Sequence, residues 1–290
     1  MTETPEPILT AEDFYQQGID FAAVRRFREA ITAYRQAVRL NPSFADAFYN
    51  LGVAYGEIRQ FRSAIKAYRK CLALNPSDWK AVGNLGIDYV NIGQHAKAIS
   101  AFRRASELKP DDLGFVVSIG FNSGRLRRYA DAIEAYKHAL RLKPDFAAAH
   151  FNIALYQYHL HRDDDSLNSA NEALKIDPDY DEPYIIIGIV LLRQGDLNGA
   201  ITALRRAAEL NPNSVEAHAN LGEALSKSGQ RELSLREFRW AIQLRPDVAQ
   251  LRFSAGVAYW KAGKNRAALT EWLNGLWYSS RRLVRSSKTP

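Results

Sequence analysis

The sequence predicts an all-α solenoid of repeated helix pairs, and three observations in its 290 residues lead there. Pro42, Pro76, Pro110, Pro144, Pro178, Pro212 and Pro246 stand 34 residues apart, with no insertion or deletion between them. Gly18, Gly52, Gly86, Gly120, Gly188, Gly222 and Gly256 share a second offset of that period, with Ala154 in the fifth place. A third offset holds Ala30, Ala64, Ala98, Ala132, Ala200 and Ala268, with Ser166 and Ser234 in the other two places. Four residues further on stand Tyr34, Tyr68, Phe102, Tyr136, Leu204, Phe238 and Trp272. A fixed period of this length marks stacked two-helix units, none of which can bury its apolar face alone.

Taken in order, residues 1–10 form an acidic segment expected to be flexible, without the basic start and apolar run of a secretory leader. Repeats then begin at residues 11, 45, 79, 113, 147, 181, 215 and 249, the last lacking a closing proline, and a basic tail occupies 281–290. Each repeat is expected to hold two helices of roughly 14 residues, the first carrying the recurrent Gly and the second the Ala and the ring. Small residues let the two backbones approach while the ring fills the remaining gap. The Asn-Pro, Lys-Pro, Asp-Pro and Arg-Pro steps end each second helix, because the residue before proline is pushed out of the helical region. The fifth repeat departs most, with Gln157 at an apolar offset, Asp163 to Asp165 at its turn and Ala170 in place of the ring. Its joint is therefore expected to pack less tightly, although an acidic solvated turn with compensating neighbours accounts for the same residues.

Residues 11 to about 280, shown well by NLGVAYGEIRQFRSAIKAYRKCLALNPS in the second repeat, resemble the tetratricopeptide-repeat family. Its pattern is a Leu-Gly-x2-Tyr first helix, an Ala-x3-Phe second helix and a closing Pro. The resemblance implies a right-handed superhelix whose first helices line a concave groove that binds other polypeptides.

On an isolated helix at 100° per residue, the fourth, seventh, eighth and eleventh residues of a repeat share the packed side, and the second, sixth, ninth and thirteenth share the free one. The sixth is Asn50, Asn84, Asn152 and Asn220, with Gln16, Ser118, Ile186 and Ser254 in the other repeats. A row of neutral amides offers donors and acceptors to the backbone of an extended peptide without demanding a sequence. The row is similar to the asparagine ladder of O-linked N-acetylglucosamine transferase and related arrays, though broken at Ser118 and Ile186. Recurrence by duplication of a solvent-tolerant Asn is the competing explanation. Tyr15, Tyr49, Phe121 and Phe151 complete the expected peptide-binding groove, with Ile19, Val53, Ile87, Leu155, Ile189 and Val257 at the ninth offset facing either the groove or the next repeat. Four amides making one or two net bonds each, at roughly 0.5 to 1.5 kcal/mol per bond, supply several kcal/mol before ordering costs, which points to micromolar binding. The family's chaperone-binding subclass grips a terminal carboxylate with cations. Here the corresponding offsets are mostly apolar, Lys80 and thirteenth-offset cations such as Arg125 excepted, and that subclass is not expected.

The formal charge of +7 admits nucleic acid or an anionic membrane surface as alternative partners. A stripe of Arg35, Arg69, Arg103, Lys137, Arg205 and Arg239 recurs on the second helices, but lacks the interleaved aromatics of a single-strand platform, so nucleic acid is the weaker reading. No catalytic constellation stands out, and the six histidines are scattered, His159 and His161 pointing in different directions on a helix. Neither cofactor nor metal is expected. The lone Cys71, at an offset otherwise held by Ala, reads as an inert core thiol, and cysteine usage fits a reducing, cytoplasmic setting. No stretch is long and apolar enough to span a membrane. Trp240, Trp260, Trp272 and Trp277 crowd the last repeats, where they cap the array or offer a dimer or partner surface. The sequence thus points to a non-enzymatic scaffold for protein or peptide partners. Its alternatives are a basic nucleic-acid or membrane-surface binder and a repeat module serving an enzyme on another chain.

Overall fold

The structure, a computed structural model, describes residues 9–286, with side chains described through Ser280. The expected flexible segment 1–10 lies outside the described residues except for Leu9 and Thr10, as do the side chains of the expected tail 281–290. Sixteen α-helices and no strand occur among the described residues. Contacts gather them into two compact halves, one ending at Pro144 and the other starting at Asp145.

The first half holds α1 (Ala11–Ala23), α2 (Phe27–Leu40), α3 (Ala45–Glu57), α4 (Phe61–Leu74), α5 (Trp79–Asn91), α6 (His95–Leu108), α7 (Leu113–Arg125) and α8 (Tyr129–Leu142). The second holds α9 (Ala147–His159), α10 (Asp163–Ile176), α11 (Asp181–Gln194), α12 (Leu197–Leu210), α13 (Val215–Lys227), α14 (Arg231–Leu244), α15 (Ala249–Lys261) and α16 (Asn265–Ser286). Within each half an odd-numbered helix packs on the even-numbered helix of its own repeat and on the one before it. This is an all-α solenoid of helix-turn-helix repeats.

The recurrent Gly and ring are one device. A Cβ built on Gly52 would lie 2.6 Å from the ring of Tyr68, on Gly86 2.7 Å from Phe102, and on Gly120 2.6 Å from Tyr136, so the ring occupies the space that a side chain would need. The fifth repeat inverts it: Ala170 replaces the ring, Ala154 replaces the Gly, and both are fully buried. The two alanines lie in one buried cluster with Ile186 and Val190. The serines that replace the recurrent Ala of the second helices have a job too, since Ser166 Oγ donates to the Ala154 carbonyl at 2.8 Å and Ser234 Oγ to the Gly222 carbonyl at 2.7 Å.

The turn inside each repeat needs one left-handed residue. Positive φ occurs at Arg25, Arg59, Gly93, Arg127, His161, Gly195, Gly229 and Gly263, the same offset in all eight repeats. Glycine adopts this conformation freely, and the three arginines and the histidine hold it against steric cost. At the start of first helices, Asp78 caps Ala81 N at 3.0 Å and Ser214 caps Ala217 N at 3.2 Å, while Thr10 and Asp13 form a reciprocal capping box.

Burial corrects the helical-wheel assignment. The third and tenth offsets are buried along with the seventh and eighth, as Ala47, Ala54, Ala81, Ala149, Ala217 and Ala224 show. A first helix is covered on two sides, which leaves a narrower free strip than an isolated wheel suggests. Ile186, at the sixth offset, is only 4% exposed and packs with Ala154, Ala170 and Val190.

Candidate functional site

In the first half the free strip of α1, α3, α5 and α7 carries a repeated pair. Asn50 Nδ2 donates to the Tyr15 phenol oxygen at 2.9 Å, and Asn84 Nδ2 donates to the Tyr49 phenol oxygen at 3.3 Å, each joining one repeat to the next. Tyr15 is held against Phe44 (4.7 Å between centroids) and Tyr34 (5.9 Å), and Tyr49 against Tyr68 (6.0 Å). Burial, and secondarily Asp46 for Tyr15 and Asp78 for Tyr49, pushes both phenols above their ordinary pKa, so each stays a neutral hydroxyl with its own proton to give. Each amide donates one hydrogen to the phenol of the preceding repeat, and the Asn84 amide also hydrogen-bonds the Tyr68 phenol. The rung stops at the third repeat because Gly83 stands where Tyr49 stood; a Cβ there would lie 2.7 Å from Phe115. Beyond it Ile87 and Phe121 are 51% and 50% exposed.

In the second half the amides behave differently. Asn152 Nδ2 donates to the Ala148 carbonyl and Asn220 Nδ2 to the Glu216 carbonyl, both at 2.7 Å and both within their own helices. Phe151 is half-buried, with its ring 5.4 Å from that of Tyr180. It borders a hollow of about 410 Å³ with Ile185 and Ile186 on its wall and Asp181, Glu182 and Glu216 about its edge. Asn211 Nδ2 donates to Asp181 at 2.9 Å, and burial followed by the neighbouring Asp181 raises the Glu182 carboxyl above its ordinary pKa. These acids occupy the first and second offsets, whose carboxylates sequence reasoning passed over. At the ninth offset the apolar residues divide: Ile87, Phe121 and Val257 are exposed, while Ile19, Val53, Leu155 and Ile189 pack into the core clusters.

His95, His161, His218 and Cys71 have structural partners. His95 Nδ1 lies 2.8 Å from Oδ1 of the buried Asn122, and His218 places Nδ1 2.7 Å from Glu237 and Nε2 3.1 Å from the Pro212 carbonyl. The Arg193 guanidinium pairs with Asp163, approaches His161 Nδ1 at 3.2 Å and lies 4.4 Å from the Tyr158 ring centroid, so a cation already fills the acidic turn. No group of three or more His, Cys, Asp or Glu that could hold a metal occurs among the described residues. Burial, then Asp78, pushes the Cys71 thiol up to about 12, well out of the reactive range. The basic residues Arg35, Arg103 and Arg205 are exposed, while Arg69 donates to the Tyr89 hydroxyl at 2.7 Å. Of the C-terminal tryptophans, Trp272 fills the ring position over Gly256, and Trp240 donates to the Pro212 carbonyl at 2.9 Å. Trp260 is 59% exposed.

Helix pairs of this geometry define a class, the helical repeat scaffolds, and comparison with known proteins narrows it. The TPR repeat pattern matches residues 26–58 and 188–229, and the tetratricopeptide repeat pattern, in three forms, matches 45–78, 80–112, 124–181 and 222–276. The chain belongs to the tetratricopeptide-repeat family. No curated protein sequence matches it. Among solved structures it is similar to the MamA protein, with 24% identity over 58% of this chain and 92% of that one and a TM-score of 0.55. YrrB, described as a TPR protein with an unusual peptide-binding site, matches at 19% identity over 64% and 95% with a TM-score of 0.55. A chain of the APC/C hetero-tetramer Cut9-Hcn1 matches at 16% over 93% of this chain and 52% of that one with a TM-score of 0.63. At these identities the likeness is one of fold. No helix among the described residues is long and apolar enough to cross a membrane.

Proposed function

We propose that the chain is a non-enzymatic scaffold that binds an extended segment of a partner protein along the free strip of its first helices. Asn50, Asn84, Asn152 and Asn220 contact the ligand backbone in this reading, and Tyr15, Tyr49, Phe121 and Phe151 supply the apolar contact. The observation that carries it is the repeated Asn-to-Tyr pair, Asn50 with Tyr15 and Asn84 with Tyr49. Two amides, each fixed in orientation by a phenol of the preceding repeat, are preorganised for a main chain and lose little freedom when it docks. The nearby exposed Ile87 and Phe121 add apolar area that a solvated helix does not otherwise select. Membership of the tetratricopeptide-repeat family and the peptide site in the description of YrrB support the same reading.

The test is selection of peptides on the immobilised full chain, with binding of the winners measured against Asn50→Ala/Asn84→Ala and Arg69→Glu/Arg103→Glu variants. Loss in the first pair alone supports the strip. Strong nucleic-acid binding at physiological salt that falls steeply with added salt contradicts the reading and favours the basic second-helix stripe.

A further inference from the structure

The two ends of the repeat array are finished differently. At the N-terminal end the third, seventh and tenth offsets of α1 carry Asp13, Gln17 and Asp20, where α3 buries Ala47, Leu51 and Ala54. Polar replacement at these offsets is how an end repeat meets water. At the other end α16 keeps the interior pattern. Leu269 stands at the offset of Ile201 and Leu235; Ile201 packs with Leu221 and Ala224, and Leu235 with Ala255 and Ala258, whereas Leu269 is 55% exposed. Leu276, at the offset of the half-buried Ile242, is 58% exposed. Leu273 replaces the basic residue that Arg205 and Arg239 supply at its offset, and it is 56% exposed.

This face has the spacing of a helix-pairing seam. Leu269, Leu273, Leu276 and Ser280 follow each other at intervals of four, three and four, the heptad alternation of an a and d seam. The helix that carries it is 22 residues long, against 14 for every other second helix. Flanking heptad positions hold Thr270, Trp272, Trp277 and Ser279, none charged. A parallel pairing sets Arg266, one position before the seam, against its own copy; an antiparallel one separates the two charges.

We propose that α16 is a dimerisation helix: two copies of the chain pair their α16 helices antiparallel about a twofold axis near Leu273 and Leu276. The uncharged seam is self-complementary, as an isologous contact requires. Head-to-tail stacking is disfavoured, because it sets Asp13 and Asp20 of one copy on Leu269 and Leu276 of another and takes two charged carboxylates out of water against apolar side chains. This goes beyond the peptide-binding reading and stands or falls independently of it.

Sedimentation velocity of the full chain at micromolar concentration tests it. The expected result is two chains per particle, reduced to one by Leu269→Glu/Leu276→Glu with an unchanged helical circular-dichroism spectrum. A bismaleimide is expected to link a Leu269→Cys chain to a Ser280→Cys chain and neither to itself. A monomeric wild type overturns the proposal, as does a dimer that survives the double substitution or a Leu269→Cys chain that cross-links to itself. A monomer that binds phosphatidylserine vesicles, and loses that binding in the double variant, overturns it in favour of a membrane surface.

Discussion

The Asn50 amide donates across 2.9 Å to the phenol of Tyr15, 35 residues earlier, so a side chain on the free strip also ties two repeats together. Removing the phenol oxygen isolates the structural share of this bond. Tyr15→Phe and Tyr49→Phe are each expected to lower the free energy of unfolding by about 0.5–1.5 kcal/mol, the worth of one net hydrogen bond, as read from urea denaturation midpoints at constant slope. Asn152→Ala breaks a bond only within its own helix and is expected to cost less than Asn50→Ala.

The left-handed turn position separates its occupants. Arg127→Gly relieves a non-glycine residue at φ 58° and is expected to be neutral to stabilising by up to about 1 kcal/mol, whereas Gly93→Ala at φ 73° is expected to cost about 1 kcal/mol. Thermal unfolding of the two variants beside the wild type checks both signs.

The inverted packing of the fifth repeat predicts non-additivity. Ala170→Phe alone places a ring against Ala154 and is expected to destabilise by about 1–3 kcal/mol. Adding Ala154→Gly restores the Gly-and-ring arrangement of Gly86 with Phe102 and is expected to recover most of that loss. A double-mutant cycle with no coupling contradicts this account of the joint.

Asp88 makes stability depend on pH. It is 5% exposed, its Oδ2 has no hydrogen-bond partner among the described residues, and burial raises its carboxyl to about 6 from an ordinary 3.8. The folded state therefore holds a proton that the unfolded state has released in this window, and stability falls as pH rises from about 4 to 6, by at most about 3 kcal/mol. Asp88→Asn is expected to flatten that slope and to raise stability at neutral pH by about 1–3 kcal/mol. Glu237 has the opposite sign: the bond with His218 lowers its pKa, so its contribution is present above the ordinary carboxylate range and is lost as acid protonates it. Urea midpoints across this pH range in the wild type and Asp88→Asn check the sign.

Much of the fold is legible because Pro42 and its six successors, with Gly52 opposite Tyr68 and its counterparts, write the period into recurring residue types. The left-handed turn was harder to see, since Arg25, Arg59, Arg127 and His161 hide the glycine signal of Gly93, Gly195, Gly229 and Gly263. The limits of the free strip were illegible for a geometric reason. Wheel arithmetic gives a helix one packed side, but a first helix inside a stack has two, which buries Ile186, Asp88 and Asn122 at offsets that an isolated helix leaves open. The Tyr15 and Asn50 partnership crosses repeats, and neither residue's own helix reveals it.

The most direct test of the peptide-binding account is the affinity of a selected extended peptide for the full chain carrying Asn50→Ala with Asn84→Ala. Each replacement removes one modest hydrogen-bonding anchor, so the predicted loss is roughly 1–3 kcal/mol of binding free energy, with the fold retained by circular dichroism. Unchanged affinity in that variant, together with abolition of binding by charge reversal at Arg69 and Arg103, would place the ligand on the second helices and contradict the account.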